Sequence, residues 1–149
     1  MSNILAMPVV LLTIETGNNE DWIDSIKYVV DDGSADPPQL DLTGIQFEME
    51  VRHRPTDHEV VFAASTTNST IMVGAPPDNG FLVIQVPLDP TMRPQEAGSY
   101  VADIVGHDGT YTRVVAQIAL TIVEGITRQP ANNPVVVLNS PAVVKVAAA

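Results

Sequence analysis

The chain has 149 residues, of which 45% are hydrophobic and 17% are charged, and its formal net charge is −11. This length and this hydrophobic fraction predict one folded domain and exclude a disordered chain. The negative charge disfavours binding to nucleic acid or to anionic membranes, and the absence of cysteine excludes disulfides, thiolate metal sites and a cysteine nucleophile.

The first two predicted strands lie near the N-terminus. Val9–Glu15 is rich in leucine and β-branched residues and ends at the Gly17–Asn19 turn, which predicts a strand. Trp22–Val30 is a second candidate, although Asp24–Lys27 fits a helical turn equally well. The apolar run Met7–Ile14 is too short to span a membrane.

The clearest strand is Ile45–Arg52, in which apolar and polar residues alternate. A period of two places alternate side chains on opposite faces of a strand, whereas a helix would scatter them around its circumference. Four apolar side chains are expected to face a core: Ile45, Phe47, Met49 and Val51.

Five more strands are predicted from composition and turn signals, at Glu59–Ala64, Thr70–Val73, Phe81–Val86, Ser99–Val105 and Tyr111–Val123. The nearly continuous apolar run of Phe81–Val86 is typical of a strand covered on both faces. Asp78–Gly80 and Asp108-Gly109 supply the positive φ angles that tight turns require. Seven or eight short strands at this spacing predict a β-sandwich or a barrel.

The composition changes after Arg128. Gln129–Pro134 reads as a Pro/Asn linker, and Val135–Ala149 as an apolar arm. We therefore divide the chain into a sandwich domain, residues 1–128, and a linker with an extended arm, residues 129–149. The arm either forms one more strand of the domain's own sheet or adds to a neighbouring subunit, and its prolines disfavour a regular central strand.

A candidate for catalysis or metal binding is the loop in which His53 and His58 flank Arg54–Asp57 and precede Glu59. Histidine and carboxylate side chains can bind a metal or transfer protons. The spacing matches no zinc pattern, and polar loops commonly contain such residues. We expect no catalytic, cofactor or metal site, and a metal-dependent enzyme centred on His53, His58 and Asp57 is kept as an alternative.

The acidic segment Asp31–Asp36 resembles part of a calcium loop, but Leu42 stands at the twelfth position, where a bidentate glutamate is required. A turn with local hydrogen bonds from side chain to backbone explains the segment equally well. Aromatic residues make up only 5% of the chain, which disfavours a stacking platform for sugars or bases. Trp22 is expected to be a core or interface anchor.

Four short motifs carry a resemblance to a known family: Asp41-Leu42-Thr43-Gly44, Ala97–Asp103, Thr112-Arg113 and Gly125–Arg128. Their order resembles small virion proteins of tailed bacteriophages that have an immunoglobulin-like fold, and it is similar to the N-terminal domain of phage baseplate upper proteins. The resemblance covers Val9–Arg128.

The motif residues also have a physical interpretation as folding residues. Thr43-Gly44 allows a sharp turn before the alternating strand. Gly98 permits a tight corner, after which Tyr100 can bury its ring and return its hydroxyl to the backbone, as in a tyrosine corner. By alternation, Asp103 is expected on the face opposite Tyr100.

The resemblance implies an all-β, immunoglobulin-like antiparallel β-sandwich of seven to eight strands with an extended C-terminal arm. It also implies a non-enzymatic structural and assembly subunit of the virion, a tail or baseplate accessory, assembled in the host cytoplasm. A capsid cement or decoration protein and a host-surface or carbohydrate-binding module are the alternatives.

The expected partners are other phage virion proteins and further copies of the chain, with no cofactor, nucleic acid, membrane or small-molecule substrate. The N-terminal segment Met1–Met7 is expected to contribute assembly contacts. The other side chains expected to do so are Trp22, Val135, Val136, Val137, Leu138, Val143, Val144 and Val146.

Overall fold

The computed structural model describes residues 2–127 and 142–147, which form a sandwich of two β-sheets. The strands within these residues are β1 (Val10–Gly17), β2 (Trp22–Asp31), β3 (Gln46–Arg52), β4 (Phe62–Ser65), β5 (Ile71–Val73), β6 (Phe81–Val86), β7 (Gly98–His107), β8 (Thr112–Val123) and β9 (Ala142–Ala147). Short helical turns occur at Ile4–Ala6, Pro77–Asn79 and Leu88–Met92.

The strand order is that of an immunoglobulin-like sandwich. The front sheet has the order β1-β8-β7-β3-β4, and the back sheet has the order β5-β6-β2-β9. When β2 to β8 are lettered B, C, C′, D, E, F and G, the sheets read G-F-C-C′ and D-E-B, which is the immunoglobulin arrangement. The predicted all-β, immunoglobulin-like sandwich is confirmed.

Both sheets are mixed, whereas the sequence analysis predicted an antiparallel sandwich of seven to eight strands. β1 runs parallel to β8 along the edge of the front sheet, and β9 runs parallel to β2 along the edge of the back sheet. The described residues contain nine strands. Parallel neighbours are joined by long crossovers rather than hairpins, so no local turn signal marks them.

Alternation along the strands builds the core between the sheets. Phe47, Met49 and Val51 of β3 are at most 1% exposed, as predicted. The helical alternative for Asp24–Lys27 is wrong, because this segment pairs with β6 as part of β2. The expectation that β6 is covered on both faces is also wrong, since Gln85 is exposed on the face that points away from the core.

The N-terminal segment closes one end of the sandwich. Ile4 and Met7 are each 1% exposed within the core. The Ser2 hydroxyl donates to the Asp108 carboxylate at 2.5 Å, and the Arg113 guanidinium donates to the carbonyl of Leu5 at 2.8 Å. Residues 2–7 therefore pack on their own domain, while Leu5 is 51% exposed, and the assembly contacts expected of this segment stay a prediction.

The corner before β7 is a tyrosine corner, as predicted. Gly98 has a φ of 155°, which side-chain-bearing residues rarely adopt. Tyr100 is 3% exposed, and its hydroxyl donates to the backbone carbonyl of Glu96. Gly44, with a φ of 82°, makes the sharp turn before β3.

The described part of the C-terminal arm is a strand of the domain's own back sheet. Residues 142–147 pair with β2 in a register that runs from Ile26 to Asp31. Val144 and Val146 are 8% and 3% exposed, so they add to the core. Of the two alternatives for the arm, the structure has the extra strand, and residues 142–147 belong to the sandwich.

Candidate functional site

The loop with the predicted catalytic candidates forms local contacts. The His53 ring stacks on Tyr100 with centroids 4.7 Å apart. Asp57 faces the Arg54 guanidinium at 3.4 Å, and its carbonyl accepts a hydrogen bond from Arg52 at 2.8 Å. Within residues 2–127 and 142–147, no three histidine, aspartate or glutamate side chains are grouped to hold a metal ion.

The segment Asp31–Asp36 is a turn closed by local hydrogen bonds. The Asp32 carboxylate accepts hydrogen bonds from the hydroxyl of Ser34 at 2.5 Å and from its backbone N–H at 2.9 Å. The hydroxyl of Ser34, followed by its N–H, lowers the pKa of Asp32, because both bonds favour the ionised carboxylate. The sequence allows two interpretations of this segment, part of a calcium loop or a turn with local hydrogen bonds, and the structure has the hydrogen-bonded turn.

The side chains expected to make assembly contacts fall in three places. Trp22 is 1% exposed, packs edge-on against Phe62 and donates its indole N–H to Asp24. Of the two roles expected for it, core or interface anchor, the structure has the core role, and this burial leaves little of its surface for the expected assembly contact. Val144 and Val146 are also in the core, whereas Val143 is 59% exposed. The remaining predicted contacts, Val135, Val136, Val137 and Leu138, lie outside the described residues.

A groove of about 570 Å³ lies on the outer face of the front sheet, and we call it the front groove. Ala119 on β8 and Val101 on β7, paired in register, contribute its small side chains. Leu11 on β1 lies on one side, and Arg52 and Pro55 lie on the other. Three strand spacings of about 4.8 Å separate β1 from β3, so the backbones of these two strands lie about 14 Å apart across the groove.

The sequence analysis missed the front groove. Leu11 is 77% exposed, although leucine is usually buried. A signal was present in the sequence: Val9 to Leu12 is an uninterrupted apolar run, so one of its faces had to point away from the core. The register pairs Leu11 with Gln117, which fixes that face as the groove side.

Charge within the front groove is acidic. Glu50, Asp103 and Gln117 lie in register across β3, β7 and β8. The Arg52 guanidinium pairs with Glu50 at 2.8 Å and also donates to the carbonyl of Asp57. Asp103 has no hydrogen-bond or ion-pair partner within the part of the chain that the structure describes.

Comparisons with known proteins show no family for this chain. No family model and no curated protein matches the chain. Among solved structures, it is similar to the extracellular fragment, with stalk region, of novel immune-type receptor 11 from Ictalurus punctatus, at 10% identity and a TM-score of 0.33. That match covers 83% of this chain and 93% of the receptor fragment.

No helix among the described residues is both long and apolar enough to cross a lipid bilayer.

Proposed function

We propose that the chain is a non-enzymatic structural and assembly subunit of a tailed-bacteriophage virion, placed in the tail or baseplate. In this role the sandwich docks to neighbouring virion subunits. The resemblance of the four motifs within Val9–Arg128 supports the phage origin, and the surface of the domain supports the docking.

The observation that carries the docking role is the exposed apolar surface of β1. Val9 and Leu11 are 47% and 77% exposed, and β1 is an edge strand of the front sheet. Natural edge strands are usually protected by charge, proline or a covering element, because an open apolar edge pairs with other chains. Val10–Gly17 contains no lysine, arginine or proline, and its one charged residue, Glu15, lies towards the C-terminal end of the strand. The edge around Leu11 is therefore suited to an assembly in which a neighbour covers it.

The alternatives have less support from the described residues. His53 and Asp57 are engaged in local contacts, which disfavours the metal-dependent enzyme. Sugar binding needs exposed aromatic faces in a groove, and Tyr111 is the one large aromatic side chain among the described residues that is strongly exposed, at 45%. No aromatic side chain lines the front groove.

The test is to purify particles of the phage whose genome encodes the chain and to measure its copy number by quantitative mass spectrometry. We expect a fixed number of copies per particle, at a constant ratio to the major capsid protein. A non-virion protein of the same phage, quantified in parallel, measures carry-over from the lysate. Levels at or below that carry-over would contradict the proposal.

Placement within the particle follows from separating heads and tails before quantification. A tail or baseplate subunit remains with the tails through the separation. Recovery with the heads would instead support the capsid cement or decoration protein, and it would overturn the tail placement while keeping the virion role.

A further inference from the structure

Asp103 lies in the middle of the front groove without a partner among the described residues. It is half-buried, and register places it between Gln117 on β8 and Glu50 on β3. A carboxylate that has lost part of its hydration without gaining a hydrogen bond or a counter-ion is stabilised by a cation. The groove therefore offers a site for one positive charge.

The nearest cation in the groove is already committed. Both ends of the Arg52 guanidinium are used, since Nη2 donates to Glu50 and Nη1 donates to the carbonyl of Asp57, each at 2.8 Å. The charge that complements Asp103 must then come from another molecule, or from outside the described residues.

The side chains around Asp103 indicate which other groups of a ligand would lie beside that cation. Val101 and Ala119 are small and apolar, and Leu11 is exposed beside them. A separation of about 14 Å between the backbones of β1 and β3 suits one extended segment, or one helix of about 10–12 Å diameter, lying along the strands between them. An occupant that covers Leu11 and the floor removes apolar surface from water, which favours binding.

A second copy of the chain is a poor occupant of the front groove. Two copies related by a two-fold axis would bring the same faces together and oppose Asp103 and Glu50 of one copy to those of the other. Each copy also carries a net charge of −11, so long-range repulsion opposes the encounter. Charge complementarity favours a different protein with a basic contact segment.

We propose that the front groove binds a segment of a different protein that presents apolar side chains around one lysine or arginine. The cation of that segment pairs with Asp103, and its apolar side chains cover Leu11, Val101 and Ala119. This inference rests on the proposed docking role and specifies the chemistry of the partner.

The test selects binders from a random peptide library on the full chain, immobilised at physiological salt. We expect the enriched peptides to contain apolar residues around a lysine or arginine. Substituting Asp103→Lys should weaken a selected peptide by about tenfold or more, because attraction becomes repulsion at a half-buried position. Leu11→Asn should weaken the same peptide, because it removes the apolar contact without adding charge.

Matched controls separate the groove from general surface effects. Asp36→Lys makes the same charge change in an exposed loop, and Met72→Asn makes the same kind of apolar-to-polar change at a side chain that is 43% exposed on the back sheet. Neither should change peptide affinity by more than about twofold. Replacing the basic residue of the peptide by glutamate should restore binding to the Asp103→Lys variant.

Three results would overturn the inference: no enrichment, enrichment of peptides without a basic residue, or binding that Asp36→Lys weakens as much as Asp103→Lys does. Concentration-dependent self-association that Leu11→Asn abolishes would assign the groove to a second copy, against the inference. Because the purified chain is tested without particles, failure here leaves the virion role standing, and absence from particles leaves the groove chemistry standing.

Discussion

Two tyrosines of the core differ in the hydrogen bonding of their hydroxyl groups. The Tyr100 hydroxyl donates to the carbonyl of Glu96. The Tyr28 hydroxyl is buried and has no hydrogen-bond partner among the described residues, and burial raises its pKa because the charged form is poorly solvated there. A buried polar group costs free energy when it is unpaired and contributes when it is paired.

The same substitution should therefore act with opposite signs at the two positions. Tyr28→Phe should raise the free energy of unfolding by about 1 kcal/mol, because an unpaired hydroxyl leaves the core. Tyr100→Phe should lower it by about 1 kcal/mol, because the tyrosine corner loses its hydrogen bond. Urea unfolding of both variants measures the difference, and a loss of equal size at both positions would mean that Tyr28 is paired.

Acid stability has an identifiable contributor in the turn between β7 and β8. The Ser2 hydroxyl, followed by the backbone N–H groups of Tyr111 and Thr110, lowers the pKa of Asp108 to about 2. In the unfolded chain the pKa of an aspartate is about 3.9. The unfolded state therefore binds more protons in this window, so the stabilisation is present above about pH 4 and lost as the pH falls through about 2.

The variant Asp108→Asn keeps an oxygen acceptor in the turn but removes the titration. We expect its unfolding free energy to fall less steeply than that of the wild type between about pH 4 and pH 2. Urea titrations at several pH values measure the two slopes. Asp36→Asn, in a loop where the aspartate accepts no described hydrogen bond, is the control, and an equal change of slope in both variants would contradict the role of Asp108.

At the scale of the strands, the local sequence pattern predicts those features that neighbouring residues along the chain determine. The strict alternation of apolar and polar residues predicts β3. Gly44 predicts the turn before β3, where its φ is positive. The parallel placement of β1 and β9 could not be predicted, because it depends on long crossovers and on which sheet edge is open. The continuous apolar run of β6 predicts burial on both faces, but only one face of this strand is fully buried.

The candidate site was predicted less well than the fold. The residue type of Trp22 fits either a core or an interface anchor, and only its packing against Phe62 shows that it serves the core. The sequence places Leu11 in a strand but does not determine on which face of the strand its side chain lies. Only the register with β8 shows that the side chain is on the exposed face. Asp103 was placed on the correct face by alternation, but its lack of a described partner is a property of the assembled sheet.

The pairing of β9 with its own domain can be tested by comparing two valines on opposite faces. Val146 is 3% exposed, so Val146→Ala should lower the free energy of unfolding by about 1–2.5 kcal/mol through lost burial and a small cavity. Val143 is 59% exposed, and Val143→Ala should change the free energy of unfolding by less than about 0.5 kcal/mol. Equal, small effects at both positions would mean that β9 leaves this sheet in solution.

For the whole molecule, the charge of −11 is concentrated in part at the end of the sandwich where β1 and β8 terminate. Glu15, Glu20 and Glu124 line a hollow of about 270 Å³ there. Glu20 accepts a hydrogen bond from the Gly17 N–H, and Glu124 accepts one from Asn18. Glu15 has no such partner among the described residues, so it contributes repulsion without a compensating bond.

Removing that charge should stabilise the molecule in a salt-dependent manner. Glu15→Gln is expected to raise Tm by about 1–2 °C at about 0.01 M salt, where the Debye length is about 30 Å. The gain should disappear near 1 M salt, where the Debye length is about 3 Å and the repulsion is already screened. Thermal unfolding followed by circular dichroism at the two salt concentrations measures both values.

The control for this experiment is Glu59→Gln, which removes the same charge next to His58 and close in sequence to Arg54. Because Glu59 lies outside that acidic end, in a loop that also contains Arg54, this variant should gain less stability at low salt than Glu15→Gln does. If both variants gain equally, the effect comes from net charge over the whole surface rather than from the acidic end. If Glu15→Gln loses stability at low salt, Glu15 has a favourable partner, and the acidic end is not a source of repulsion.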